Sequence, residues 1–319
     1  MMRTSLRNLV LVAMLGLGLP SDNSLAQGQD AAPVAERPAQ SDLSKTLREQ
    51  AESGDLDAMY RLAVACAQGR AGESARAEAI VWYRRAAEGG HAPSMVVVGS
   101  RLARGADRKK DEVEAAKWYR KAAEAGDATG MFMFAGACAR GAGVAKDEAE
   151  AVRWYERAGK LGDARSLTSL GTMHALGRGT APDVAKAIEC YRAAAELGDA
   201  RAMSNLGALA LEGRGLPKDE VVAMGWFVKA AERGDGDAMH RLAVIHAARR
   251  GDASVRDACF WATLATARCK GKMLEEATAV RDASRAKLDE AARREVDDRV
   301  ATWNADRARV GATQEADAP

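Results

Sequence analysis

The sequence predicts an all-α solenoid of about six 36-residue helix-turn-helix units with helical caps. Three observations predict it. First, 70 of the 319 residues are alanine, the best helix former, while Val, Ile and Thr are too sparse for a β-sandwich or barrel. Second, a glycine followed by Asp or His recurs every 36 residues, at Gly54, Gly90, Gly126, Gly162, Gly198 and Gly234. Third, apolar residues inside each period fall at helical spacing on two separate stripes.

Taken in chain order, the elements begin with a targeting segment. Arg3 and Arg7 precede an apolar run, Leu9 to Leu19, that is too short to span a bilayer. Ser24-Leu25-Ala26 then offers small residues at a cleavage site. Residues 1–26 are expected to be a secretory signal peptide. Residues 27–42, rich in Ala, Pro and Gln, are expected to be a disordered linker. Residues 43–53 are expected to form a half-repeat helix ahead of the array.

Within each unit, offsets are counted from the anchor glycine. Position +5 holds Met59, Met95, Met131, Leu167, Met203 and Met239, and +8 holds Leu62, Val98, Phe134, Leu170, Leu206 and Leu242. With the Ala or Gly at +9, these make the apolar face of a first helix. Position +28 holds Trp82, Trp118, Trp154, Cys190 and Trp226, and +29 holds Tyr83, Tyr119, Tyr155, Tyr191 and Phe227. With the alanines at +32, these make the face of a second helix. The residue after each anchor glycine is placed to cap the first helix, and Asp111, Asp147, Asp183 and Asp219 to cap the second. Small residues at +9 and +32 let helices approach, and the aromatic residues fill the space between neighbours. No unit buries both stripes alone, so the units must stack.

Downstream, Leu274, Ala277 and Val280 form one apolar stripe, and Ala292, Val296, Val300 and Trp303 form another. Residues 270–310 are expected to be C-terminal capping helices, and 311–319 a disordered tail.

The stretches Ala202-Met203-Ser204-Asn205-Leu206-Gly207, Gly213-Arg214-Gly215-Leu216-Pro217-Lys218-Asp219 and Trp118-Tyr119-Arg120-Lys121-Ala122-Ala123-Glu124 resemble the Sel-one-like repeat, a longer relative of the tetratricopeptide repeat. The resemblance covers residues 54 to about 269. It implies a right-handed α/α superhelix that acts as a protein-interaction scaffold. There are departures. Position +12, often aromatic in the family, is here Cys66, Leu102, Cys138, His174, Ala210 and His246. The sixth unit has Arg249 in place of its loop glycine and Trp261 one place early.

Chemistry-bearing motifs are scarce. The four histidines share no ligand spacing, and His174 and His246 sit at the packing position +12. No phosphate loop, nucleophile elbow or His-Glu-x-x-His is present. Gly177-Arg178-Gly179 and Gly213-Arg214-Gly215 are the recurring loop between the two helices. The five cysteines, Cys66, Cys138, Cys190, Cys259 and Cys269, are read as small packing residues. No catalytic, cofactor or metal site is therefore expected. Net charge is +2, with 47 basic and 45 acidic residues, so nothing points to nucleic acid or to membrane insertion after signal cleavage.

The expected partner is a protein or peptide. In solenoids of this kind the first helices line the concave face, with +3, +6, +7, +10 and +14 outside the core. On that basis the candidate partner-binding residues are Tyr60, Arg61, Val96, Val97, Arg104, Phe132, Met133 and Arg140, apolar groups flanked by Arg in units 1–3. The corresponding places in units 4 and 5 are polar: Thr168, Ser169, Ser204 and Asn205. The expected function is an exported scaffold, adaptor or regulator, in the periplasm or secreted. The resemblance also offers an alternative, a cell-wall-related enzyme, because some exported relatives are linked to penicillin binding and β-lactamase activity.

Overall fold

Each repeat period becomes a pair of helices, and the caps are built by the residues that carry them in sequence. The computed structural model describes residues 40–68, 75–105 and 110–316; the expected signal peptide and most of the expected linker lie outside them. The described residues form fifteen helices and no strand. The first helices of the pairs are α2 (Leu56–Ala67), α4 (Ala92–Arg104), α6 (Ala128–Arg140), α8 (Ala164–Leu176), α10 (Ala200–Glu212) and α12 (Gly236–Ala248). The second helices are α3 (Ala75–Glu88), α5 (Glu112–Glu124), α7 (Glu148–Lys160), α9 (Val184–Glu196), α11 (Glu220–Glu232) and α13 (Asp252–Thr266). Helix α1 (Gln40–Glu52) precedes them, and α14 (Gly271–Ala286) and α15 (Glu290–Ala316) follow.

The helix starts are fixed by side-chain caps. Asp55, Asp127, Asp163, Asp199 and Asp235 accept from backbone N–H groups in the first turns of α2, α6, α8, α10 and α12. His91 does the same for α4, its Nδ1 accepting from Ser94 N at 3.3 Å. Asp111, Asp147, Asp183 and Asp219 cap α5, α7, α9 and α11. Each such bond satisfies a donor that the helix itself leaves orphaned. The sixth pair departs here too. Helix α13 has Gly251 at its N-cap position and so no side-chain cap.

Packing explains the small residues. A Cβ on Gly99, Gly171 or Gly207, all at +9, would stand 2.7 Å from the ring of Tyr119, Tyr191 or Phe227 at +29 of the same unit. In units 2, 4 and 5 the first and second helices therefore touch ring against backbone, while units 1 and 3 place the Ala63 and Ala135 methyls at the same position. Tyr83, Tyr119, Tyr155, Tyr191 and Phe227 are all buried. The tryptophans at +28 behave differently from expectation. Trp82 is buried, but Trp118, Trp154 and Trp226 are half-buried. Their rings lie at the boundary of the core, each beside a Lys or Arg three residues on, with Arg157 4.3 Å from the Trp154 ring centroid. The indole N–H of Trp82 donates to Glu78 at 3.1 Å and that of Trp154 to Glu150 at 3.3 Å. A polar edge kept at the surface satisfies that N–H, which deep burial would strand.

Successive units are joined by contacts that repeat with the period. Arg48 forms a two-pronged pair with Glu78, at 2.6 and 3.1 Å, and Arg84 lies 3.7 Å from Glu114, the same two offsets one unit later. Helix α1 thus stands where the second helix of a preceding pair would stand. Arg178 pairs with Glu148 at 2.8 Å and Arg249 with Glu220 at 2.5 Å, tying a loop to the helix start of the unit before. Exposed pairs of this kind contribute about 0–1 kcal/mol each, so they set register more than stability. The loop itself is held by shape. Gly143 and Gly179 have φ of +75° and +69°, and a Cβ on either would overlap the backbone carbonyl of Glu112 or Glu148. The loops at Gly141-Ala142-Gly143 and Gly177-Arg178-Gly179 are thus contact points between units.

At the C-terminal end Ala277 and Val296 are fully buried, and Phe260, Trp261 and Trp303 form a mutual edge-to-face cluster with centroids 4.9–5.9 Å apart. Arg299 bonds Asp257 at 2.9 Å and Arg285 grips Asp297 at 2.7 and 2.8 Å. Arg307 donates to the carbonyl of Glu232, so α15 folds back on the array. Two boundaries differ from the sequence reading. Helix α1 begins at Gln40, inside the stretch expected as linker, and α15 continues to Ala316, into the expected tail. No proline interrupts Gly311–Ala316, and Gln, Glu and Ala all favour helix. Residues 317–319 lie outside the described residues.

Candidate partner-binding face

The first helices present +6, +7, +10 and +14 on one face, and the size of these side chains decides where a cleft can open. In units 1–3 they are bulky. Tyr60 lies 5.8 Å from Tyr83 and 5.1 Å from His91, ring centroid to ring centroid, and is half-buried. Val96 is 9% exposed and belongs to the core; it offers no surface, contrary to the sequence reading. Val97 and Met133 are half-buried against the same core. Phe132 is half-buried under the Arg165 guanidinium, 4.7 Å away, with Tyr155 5.9 Å from it. Arg61, Arg104 and Arg140 are exposed. Position +6 was read as lying outside the core. It packs instead toward the start of the next first helix, as Thr168 shows by donating to Asp199 at 2.9 Å.

In units 4 and 5 positions +6 and +7 hold smaller polar side chains, Thr168, Ser169, Ser204 and Asn205, and the face opens. A cleft of about 520 Å³ crosses α6, α8, α10 and α12. Its α6–α8 edge carries Arg140, Tyr155 and Arg178; its floor carries Thr168, Ser169, Thr172, Ser204 and Asn205; its α10–α12 edge carries Arg201, Asp235 and Asp237. Only Arg140 belongs to the residue set expected from sequence. Thr168, Ser169, Ser204 and Asn205 were visible as polar replacements, and the drop in side-chain size at +6 and +7 was the signal that a cleft begins there. Arg201 and Asp237 sit at +3, a position the sequence places on this face, whereas Arg178 and Asp235 carried no such signal, because one sits in a loop and the other in a cap.

The floor is partly satisfied internally. Ser169 donates to the Arg165 carbonyl at 2.9 Å, and Thr172 lies 3.1 Å from the Tyr191 hydroxyl. Ser204 is 4% exposed and its Oγ has no hydrogen-bond partner among the described residues. Asp237 is paired with Arg241 at 3.1 Å and Arg178 with Glu148. Arg140, Arg201 and the Asn205 amide form no hydrogen bond or ion pair among the described residues. Asp235 caps α12 at 2.7 Å; burial raises its carboxyl above the ordinary range, with Asp237 and Asp199 pushing the same way and Arg201 opposing.

The remaining reactive side chains lie in packing. His174 is buried, and its Nδ1 has no partner among the described residues. His240 faces Glu276 at 3.5 Å and His246 faces Asp257 at 3.7 Å. All five cysteines are free thiols; burial pushes Cys138 and Cys190 up to about 11 and raises Cys66, Cys259 and Cys269. A thiol protonated at neutral pH is a poor nucleophile and a poor ligand. Accordingly, all five thiols should titrate in denaturant without reductant, and a count of three or fewer would overturn the free-thiol assignment.

Stacked helix pairs with a polar cleft across their first helices define an α-solenoid of the scaffold type. A family model for the Sel1 repeat matches residues 56–91, 92–127, 130–163, 164–199 and 200–235, more than half of the chain. The chain belongs to the Sel1 repeat family, whose members are generally protein-interaction scaffolds. The matched repeats number five, one fewer than the spacing predicts; α12 and α13, which lack the loop glycine and the second side-chain cap, fall outside the match.

Among solved structures, the chain is similar to c5321, a protective antigen present in uropathogenic Escherichia coli strains and displaying an SLR fold. The two are 28% identical with a TM-score of 0.72, over 86% of this chain and 59% of that one. The chain therefore spans somewhat under two thirds of c5321. A Sel1 repeat protein from Oxalobacter formigenes is 27% identical with a TM-score of 0.58, over 77% of this chain and all of that one. A comparison with curated proteins returns no match. No described helix is long and apolar enough to cross a membrane.

Proposed function

We propose that this chain is an exported, non-enzymatic scaffold, an adaptor or regulator, that holds a protein or peptide partner along the face of α6, α8, α10 and α12. The observation that carries the reading is the cleft of about 520 Å³ whose lining keeps unpaired guanidinium, amide and hydroxyl groups. Polar groups left unpaired at a concave surface are ready to exchange water for a partner's backbone and side chains. The exposed Arg61 and Arg104, with the half-buried Tyr60, Val97, Phe132 and Met133, extend the same face over units 1–3 and form its rim. Export rests on Arg3, Arg7, the Leu9–Leu19 run and Ser24-Leu25-Ala26.

Crosslinked pull-down from the native compartment, read by mass spectrometry, tests this. Asn205→Arg, which fills the cleft floor, should abolish capture of the specific partner, while Phe132→Ala with Met133→Ala should only weaken it. Capture undiminished by Asn205→Arg would place the partner elsewhere. Nitrocefin turnover removed by a point substitution would favour the enzyme instead.

A further inference from the structure

We infer that this cleft selects an extended acidic peptide segment, with one carboxylate against Arg140 and a second against Arg201. The inference rests on the groove reading above and adds the chemistry of the occupant. Its first support is the charge left over. Arg178 shares Glu148 with Lys146 and Asp237 pairs with Arg241, so the cleft charges outside any ion pair are two guanidiniums and one carboxylate. That carboxylate, Asp235, already accepts from Ala238 N and lies within electrostatic reach of Arg201, so Arg140 is the cation farther from any acidic group of the cleft.

Placement is the second support. Arg140 ends α6 and Arg201 begins α10, so the two cations stand at opposite edges of the cleft, with the neutral floor between them. Successive first helices are joined through the second helix between them, and a step of about 10 Å puts α10 roughly 20 Å from α6. The offset along the helices adds a comparable distance at about 1.5 Å per residue. Both side chains line the cleft, and with both directed into it the guanidiniums would stand on the order of 12–15 Å apart. An extended chain covers that span in about four residues.

The third support is the floor. Ser204 Oγ is buried without a partner, an arrangement that costs free energy until something bonds to it. The neighbouring Asn205 carries both a donor and an acceptor, as a peptide backbone requires. Guanidiniums fix the ends by charge-assisted bonds, and the hydroxyl and amide read the main chain between them.

Fluorescence anisotropy with fluorescein-labelled nonapeptides tests the assignment. The probe carries two Glu separated by three residues in an Ala/Ser/Gly background; matched peptides carry two Gln, two Lys, or one Glu. At low salt the two-Glu peptide should bind roughly tenfold tighter than the two-Gln peptide, and high salt should erase the difference. Arg140→Glu and Arg201→Glu, both at exposed positions, should each cost about tenfold with unchanged melting temperature. Exchanging one Glu of the probe for Lys should restore binding to Arg140→Glu. Equal or tighter binding of the Gln or Lys peptides, or indifference to both Arg variants, would overturn the inference while leaving the groove as a peptide site. Absence of binding by every peptide would also overturn it, and the pull-down above decides the groove reading independently.

Discussion

Replacing Phe227 by alanine should lower the unfolding free energy by about 3–5 kcal/mol, the range for deleting a buried aromatic ring. The ring is 0% exposed, packed against the backbone of α10 at Gly207 and approached by Arg241 at 5.8 Å. The collapse open to α10 is limited, because its helix is held by the Asp199 cap and by α11 itself. Each repeat contacts chiefly its neighbours, so the loss should loosen α10–α12 before the distal units. A double-mutant cycle with Gly207→Ala isolates the contact. Alone, Gly207→Ala should cost about 1–3 kcal/mol by overpacking, since its Cβ would stand 2.7 Å from the ring. In the Phe227→Ala background the same change should be neutral or stabilising, because the ring is gone and alanine suits a helix better than glycine. Urea unfolding followed by circular dichroism measures both, and additive effects would contradict the ring-on-backbone contact.

Gly179→Ala should be the other costly substitution, at roughly 2–4 kcal/mol. Two penalties coincide there. The residue sits at φ +69°, where a side chain is strained, and the Cβ would overlap the Glu148 carbonyl, backbone that cannot swing aside. The damage falls between units, so Arg178 would also lose its hold on Glu148. Gly225→Ala is the matched control. It lies inside α11, is exposed and has open space beside it, so the change should stabilise by about 0.5–1 kcal/mol. Thermal melts of the two variants should therefore move in opposite directions; equal shifts would show that the loop does not couple the units.

Much of the fold was legible because the helix signals are local. Asp127 and Asp163 cap the helices they precede through contacts two or three residues away, and the stripes at +5, +8, +28 and +29 need only helical periodicity to be seen. The candidate site was legible only in part. Val96 and Phe132 look alike in sequence, as apolar residues at +6, yet one is core and the other lies under a guanidinium contributed 33 residues later by Arg165. The partner of each +6 side chain is the next unit, and which rotamers meet there depends on the step between helices. The half-exposed tryptophans illustrate the same limit. Their spacing fixes their stripe, while the depth of each ring follows from the neighbouring helix: Trp82 and Trp154 each donate to the carboxylate four residues before, yet one is buried and the other half-buried.

Periodicity in the chain sets the number and length of the helices, their caps, the ring-for-glycine exchange at +9 and +29 and the family to which the chain belongs, because each follows from residues at fixed local offsets. The cleft is different. It exists because small side chains of α8 and α10 stand side by side between arginines of α6 and α10, residues separated by whole repeats that share no local pattern. Only the stacking step brings them to one surface, beside the bulky first three units.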